Sequence, residues 1–182
     1  MLPFKTLLLL GLVFITHVCL AQKNNDIPKD AIKGDFNGDG KPEYVWVVRP
    51  KIADSGEDCV SGCTIKVVSS NPEIPTLAIP NAIGGTITNL GDLNNNGTDE
   101  IGILPEWFTS CWSPYYVYTL AHKHWQEVVP SFSTHCNQWE ADVKPIEKAP
   151  GKKGYVVIRY SAFEKEEIVT KTKIIPKITA CC

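Results

Sequence analysis

Two stretches of the chain carry oxygen donors at the same spacing. Asp35, Asn37, Asp39 and Glu43 stand at positions 1, 3, 5 and 9 of the first, with Gly40 at position 6. Asp92, Asn94, Asn96 and Glu100 stand at the same positions of the second, with Gly97 at position 6. Alternate side chains in a tight loop can curl toward one point, and a glycine permits the left-handed bend that this requires. Oxygen donors in such a ring suit Ca2+, a hard cation that takes about six to eight oxygens at roughly 2.3–2.6 Å. The backbone carbonyls of Lys41 and Thr98, at position 7, and water would complete the two shells. The first loop has carboxylates at 35, 39 and 43 and the second only at 92 and 100, so at equal geometry the first should bind more tightly. Asp99 adds charge beside the second loop. An EF-hand needs a glutamate at position 12, where this chain has Trp46 and Ile103, so that motif is excluded. The competing explanation is turn chemistry without metal, since Asn, Asp and Gly are favoured in turns; turn preference does not, however, ask for a carboxylate at position 9. Asn96-Gly97-Thr98 also matches a glycosylation sequon, but a glycan there would remove a proposed ligand.

The elements that must hold these loops follow from the residues around them. Each loop starts after a glycine, Gly34 or Gly91, and runs into an apolar stretch, 44–48 or 101–104. The two copies lie 92 − 35 = 57 residues apart. A degenerate third copy begins at Gly151, where Lys152, Lys153 and Gly154 precede the apolar stretch 155–158 with no acidic loop. Self-similarity at that period points to stacked supersecondary units, and the β-branched and aromatic content of the apolar stretches makes those units strands. Further strands are expected at 64–68, 86–90, 115–120 and 167–175, with turns at Asn71-Pro72, Pro80-Asn81, Gly84-Gly85 and Pro150-Gly151. The expected fold is all-β: blade-like antiparallel sheet repeats, two clear and one degenerate, near 35–48, 92–104 and 151–160 of one domain covering 22–182. The loops, with glycine before the first Asp and a strand after the Glu, resemble the calcium loops of FG-GAP or VCBS-type repeats, the blades of integrin-like β-propellers. That resemblance implies a Ca2+ ion pinning each hairpin loop, in a module used for surface recognition or adhesion. A closed monomeric propeller does not fit, because propellers have about four to eight blades and the chain has room for fewer than three repeats of that length.

Other chemistry-bearing residues form a second group. Trp107, Phe108, Trp112, Tyr115, Tyr116, Tyr118, Trp125, Phe132 and Trp139 crowd the segment between the second loop and the third copy. Exposed rings could stack on a glycan or anchor a protein ligand, whereas buried ones would fill the core. Tyr116 and Tyr118 share a strand face and Tyr115 takes the other, so one face of that strand is expected to be buried. Trp107 and Trp112, in a Pro- and Ser-containing segment, are the candidate ligand-binding residues. The enzymatic alternative is a secreted hydrolase using His122, His124 and Glu127, the two histidines sharing a strand face with His135 nearby. No nucleophile elbow, HExxH or phosphate loop accompanies them, so no catalytic residue is assigned. A purely structural envelope protein is the third reading.

Composition bounds these readings. Hydrophobic residues make up 43% and charged ones 21% of 182 residues, enough apolar content for a packed core. The net charge of −2 lacks the basic excess of a nucleic-acid binder. Residues 1–21 read as a secretory signal peptide: Lys5, then an apolar stretch over 7–15, then Cys19-Leu20-Ala21 ending on a small residue. Export to the periplasm or the exterior is expected, with lipid anchoring through Cys19 disfavoured by the bulky flank at 16–18. No other stretch is long and apolar enough to be a transmembrane segment. The remaining six cysteines then read as disulfides. Cys59–Cys63 would staple a turn, and Cys111–Cys136 would close a longer loop, contributing about 3 kcal/mol in the chain-entropy model. Cys181 and Cys182 remain open between a vicinal bond, a tie to the body and an intermolecular link, so self-assembly is open too. A zinc site using Cys59, Cys63 and histidines would need reduced thiols.

Overall fold

The computed structural model describes residues 27–177; the expected signal peptide, Cys19, Cys181 and Cys182 lie outside them. The fold is all-β: among the described residues 49% are strand and 3% helix. Its elements are β1 (Ile32–Gly34), β2 (Glu43–Val48), β3 (Thr64–Ser69), β4 (Leu77–Pro80), β5 (Gly84–Asn89), β6 (Ile101–Glu106), β7 (Trp112–Ala121), β8 (His124–Glu127), β9 (Phe132–His135), α1 (Cys136–Glu140), β10 (Ile146–Lys148), β11 (Tyr155–Glu164) and β12 (Glu167–Pro176). They form three antiparallel sheets, each a meander in chain order: β1-β2-β3-β4, β5-β6-β7-β8 and β10-β11-β12. β9 pairs with the N-terminal half of β7, from Trp112↔His135 to Tyr115↔Phe132. None of the sheets closes into a barrel.

Alternation along the strands places a core on each face of the middle sheet. Ile101 and Ile103 of β6 and Leu120 of β7 pack with Val45, Ile65, Val67 and Ile79 of the first sheet, and Tyr116 and Tyr118 lie partly buried against the same cluster. Tyr115 and Val117, on the opposite face of β7, pack with Phe132 of β9 and with Ile146, Val156 and Ile158 of the third sheet. The sheets are therefore stacked in chain order, each burying an apolar face that it could not bury alone. The face of β7 that carries Tyr115 and Val117 is buried, as expected, and the face with Tyr116 and Tyr118 is partly covered by the first sheet as well.

A second correction concerns Gly84-Gly85, expected as a turn. Both residues lie in β5, paired with Glu106 and Pro105. Their small size is used for close approach instead: a Cβ on Gly84 would sit 2.4 Å from the Glu106 carboxylate and 2.8 Å from the Arg49 guanidinium. Both predicted disulfides lie within the described residues, Cys59–Cys63 with Cα atoms 5.2 Å apart and Cys111–Cys136 with Cα atoms 5.0 Å apart. No helix among the described residues is long and apolar enough to cross a membrane.

Candidate functional site

In all three sheets the repeated loop joins the first strand to the second. Residues 35–42 connect β1 to β2, residues 90–100 connect β5 to β6, and residues 149–154 connect β10 to β11. The two acidic loops share a hydrogen-bond frame. Asp35 accepts from the amides of Asp39 at 3.1 Å and Gly40 at 2.9 Å. Asp92 accepts from the equivalent amides of Asn96 at 3.0 Å and Gly97 at 3.2 Å. The position-5 side chain then accepts from the position-7 amide in both: Asp39 from Lys41 at 2.8 Å and Asn96 from Thr98 at 2.9 Å. The bend these bonds require puts Gly40 and Gly97 at φ of 80° and 88°, where a side chain would be strained. Asn37 adds its own contact to the first loop, accepting from the Asp39 amide at 2.9 Å and donating to the Asp39 carboxylate at 3.3 Å. Asp35, Asn37 and Asp39 are thus gathered at one end of the loop, where Asp39 is exposed and Asp35 and Asn37 are half-buried.

The position-9 glutamates go elsewhere. Glu43 accepts from the Phe36 amide at 3.0 Å and from the Asn71 side chain at 3.2 Å. Glu100 accepts from the Asn94 amide and from the Asn94 side-chain amide, both at 2.9 Å. Each carboxylate accepts from an amide of its own loop, Glu43 also from Asn71 beyond β3, and Glu43 with Asp35 and Asp39 does not gather ligand atoms within 4.8 Å of one another. Glu100 is 0% exposed, and burial, the dominant effect, pushes its carboxyl up to about 7. Hydrogen bonds from Thr119 and from the Asn94 and Leu93 amides offset part of that rise, and the Asp92 charge adds to it. The Asn94 side-chain oxygen, turned away from Glu100, is buried with no hydrogen-bond partner.

The loops also hold one another. The Asp99 amide donates to the Asp35 carbonyl at 2.7 Å, and the Asp99 carboxylate accepts from the Asp35 amide at 3.1 Å and from Asn89 at 2.9 Å. A Cβ on Gly34 would lie 2.5 Å from the Asn89 side chain and 2.7 Å from the Asp99 carboxylate, so the approach depends on glycine. Asp99, expected as a source of extra charge, instead clamps the first loop to the second. Sequence reasoning missed the supporting polar residues: Asn71 behind Glu43, Asn89 behind Asp99, and Thr119, which accepts from the Asn96 side chain at 2.9 Å. Thr119 left a signal, being a polar residue inside an aromatic strand. The asparagines left none beyond turn composition.

The other candidates are dispersed. Trp107 and Trp112 bracket the segment between β6 and β7 and are 43% and 38% exposed, Trp107 edge-on to Phe108 and Trp112 edge-on to His135. His122 and His124 do not share a strand face. His122 and Lys123 form the two-residue turn between β7 and β8, with φ of 51° and 63°, and only His124 is in a strand. That hairpin turns on two left-handed residues, which the sequence offered no glycine to announce. Glu127 lies beside Tyr118, whose phenol burial first and the Glu127 charge second push up to about 12. His122, His124 and Glu127 do not form a trio with donor atoms within 4.8 Å of one another. Among the described residues, the trios of ionisable or sulfur donors gathered within 4.8 Å are Cys111–His135–Cys136 and Asp58–Cys59–Cys63. Their sulfurs are joined in disulfides and are not thiolate ligands, which removes the basis for zinc at Cys59 and Cys63.

No protein-family model, curated protein or solved structure matches this chain.

Proposed function

We propose that the chain is an exported β-sheet module stabilised by Ca2+ at its two acidic hairpin loops, and that it serves extracellular or periplasmic recognition. The observation that carries this reading is the hydrogen-bond frame common to both loops, which orients side chains at positions 1 and 5 alike in two different sheets. The donor set fits the ion: it is all oxygen, and the buried, unpartnered oxygen of Asn94 is a ligand atom without a present use. Asp35, Asn37, Asp39 and the Lys41 carbonyl would hold one ion, and Asp92, Asn94, Asn96 and the Thr98 carbonyl the other. Glu43 and Glu100 would join only by leaving the amides they now cap. Bound Ca2+ supplies charge neutralisation and loop order; the chain's residues supply the frame. Export is supported by the two disulfides, which persist in oxidising compartments. Exposed Trp107 and Trp112 are the surface offered to a glycan or protein ligand.

The test is thermal unfolding in chelator and in rising Ca2+, with Mg2+ as control. Stabilisation of about 2.7 kcal/mol is expected when free Ca2+ reaches 100 times Kd. For a domain of this size that is a rise of roughly 5–10 °C. The rise should shrink in Asp35→Asn/Asp39→Asn. Coincident melts in chelator and in millimolar Ca2+ would overturn the metal reading. Glycan-array binding that survives Trp107→Ala/Trp112→Ala would overturn the assignment of the recognition surface.

A further inference from the structure

The third sheet repeats the hairpin geometry of the first two with the opposite charge. Where residues 35–42 and 90–100 carry carboxylates, the turn between β10 and β11 carries Lys152 and Lys153, flanked by Gly151 and Gly154 at φ of 68° and 82°. This turn lines a cleft of about 320 Å³ together with Lys148, Lys177 and Asn95 of the second acidic loop. The cleft has four lysines on its walls and no carboxylate. Among the described residues none of the four forms an ion pair; the pairs present are Arg49–Glu106, Lys123–Glu73, Arg159–Glu147 and Lys171–Glu164. In a chain of net charge −2, that concentration of uncompensated positive charge is a local inversion of the overall balance.

The lysines are also partly positioned. Lys148 donates to the Asn95 side chain and Lys177 to the Asn94 carbonyl, each at 2.7 Å. Lys152 stands 3.9 Å above the centre of the Tyr155 ring. An ammonium has three donors, so each of these retains two for a ligand. The floor of the cleft is apolar, formed by Leu93, Ala149 and the Tyr155 ring. A bare inorganic ion would use the ammoniums and leave that floor wet. A ring that carries anionic groups on a carbon skeleton would use both.

We infer that the cleft between the second acidic loop and the β10–β11 turn binds an acidic saccharide, a pyranose unit bearing sulfate or carboxylate groups. This deepens the recognition reading by naming a ligand class, but uses a surface apart from Trp107 and Trp112. Lys152 and Lys153 supply the charge that selects the ligand, Lys148 and Lys177 tie its position to the second loop, and the apolar floor meets the C–H face of the ring.

Calorimetric titration in saturating Ca2+ tests it, using a sulfated uronate-containing disaccharide, its desulfated and carboxyl-reduced counterpart, and inorganic sulfate. The sulfated disaccharide should bind, the neutral counterpart at least about tenfold more weakly, and inorganic sulfate more weakly than the disaccharide. Lys152→Gln/Lys153→Gln, confined to an exposed turn, should weaken disaccharide binding by about tenfold or more while lowering the melting temperature by no more than the roughly 2–4 °C that loss of the Lys152–Tyr155 contact costs. Raising salt should weaken it further, as for any charge-led association. Equal affinity for charged and neutral disaccharides, equal affinity in the double variant, or inorganic sulfate matching the disaccharide would overturn the inference. Trp107→Ala/Trp112→Ala should leave this titration unchanged; if that variant abolishes it while the lysine variant does not, the ligand belongs to the tryptophan surface and this inference fails while the recognition reading stands.

Discussion

The two acidic loops share a hydrogen-bond frame but differ in what surrounds it. In the first, residues 38–42 are exposed, Asp35 and Asn37 are half-buried, and the side-chain oxygens of Asp35, Asn37 and Asp39 serve amides of the loop itself. The second is sunk against β7 and the third sheet: Thr98 and Glu100 are buried, Asn96 reaches Thr119, and Lys148 and Lys177 reach Asn95 and Asn94. Formal charge favours the first loop for a cation; Glu43 and Glu100 are both buried, but only in the second does burial push the carboxyl up and leave a polar atom, the Asn94 oxygen, without a partner. Solvent screens the exposed Asp39 carboxylate, whereas Glu100 and the unpartnered oxygen of Asn94 are buried away from the surface. The lesson is that ligand charge and dependence on ligand are separate properties. A loop can attract an ion strongly and need it little.

The largest expected effect exposes that dependence through pH. In chelator, the folded-state pKa of Glu100, about 7, lies above its ordinary value of 4.5, so the folded chain holds this proton more tightly than the unfolded chain. The corresponding stability is fully present below pH 4.5 and is lost as pH rises through 7, to a total of about 3 kcal/mol. Denaturant midpoints across that range should show the decline in the wild type and not in Glu100→Gln. A wild-type slope of the opposite sign, or one that persists unchanged in the variant, would mean that the buried carboxyl does not distinguish the second loop.

Glycines before the first aspartate sharpen the contrast next. Gly34 is enclosed: a Cβ would meet Asn89, Asp99 and the Phe36 ring at 2.5, 2.7 and 2.8 Å. Gly91 has open space around the same position but a φ of 66°. Gly34→Ala should therefore cost about 2–3 kcal/mol through overpacking at the clamp between the loops. Gly91→Ala should cost about 1 kcal/mol through backbone strain alone. Urea midpoints of the two variants decide the order, and equal losses would show that the clamp at Asp99 contributes nothing specific.

Much of this architecture was legible because it is written in local residue types. Apolar runs rich in β-branched and aromatic residues marked seven of the strands, and the glycine-flanked acidic loops marked the first hairpin of two sheets. The cysteine spacing likewise pointed to both observed disulfides. What escaped depended on contacts between distant residues. β1 and β10 are only as long as Ile32–Gly34 and Ile146–Lys148, too short to show a period, and exist because neighbouring strands pair with them. The roles of Glu43 and Glu100 as caps could not be read from position 9, since a carboxylate that ligates and one that caps an amide leave the same letter in the chain. Nor does spacing reveal that Asp99 turns toward Asp35 across 64 residues of sequence.

The smallest contrast lies between the asparagines at positions 3 and 5. Asn37 makes its contacts within the exposed first tip, where water replaces a lost partner, so Asn37→Ala should cost no more than about 0.5 kcal/mol. Asn96 has an exposed backbone position but sends its side chain inward: it accepts from the Thr98 amide and hydroxyl and donates to Thr119. Asn96→Ala leaves those buried groups competing for one another, at about 1–2 kcal/mol. Addition of Ca2+ should widen the difference if Asn96 is also a ligand, because the variant then loses binding free energy that the wild type gains. In chelator the same pair of variants measures hydrogen bonding alone. The change in their difference between the two conditions isolates the share of the second loop's stability that comes from the ion, and a difference that is constant across conditions would leave Asn96 as a structural residue only.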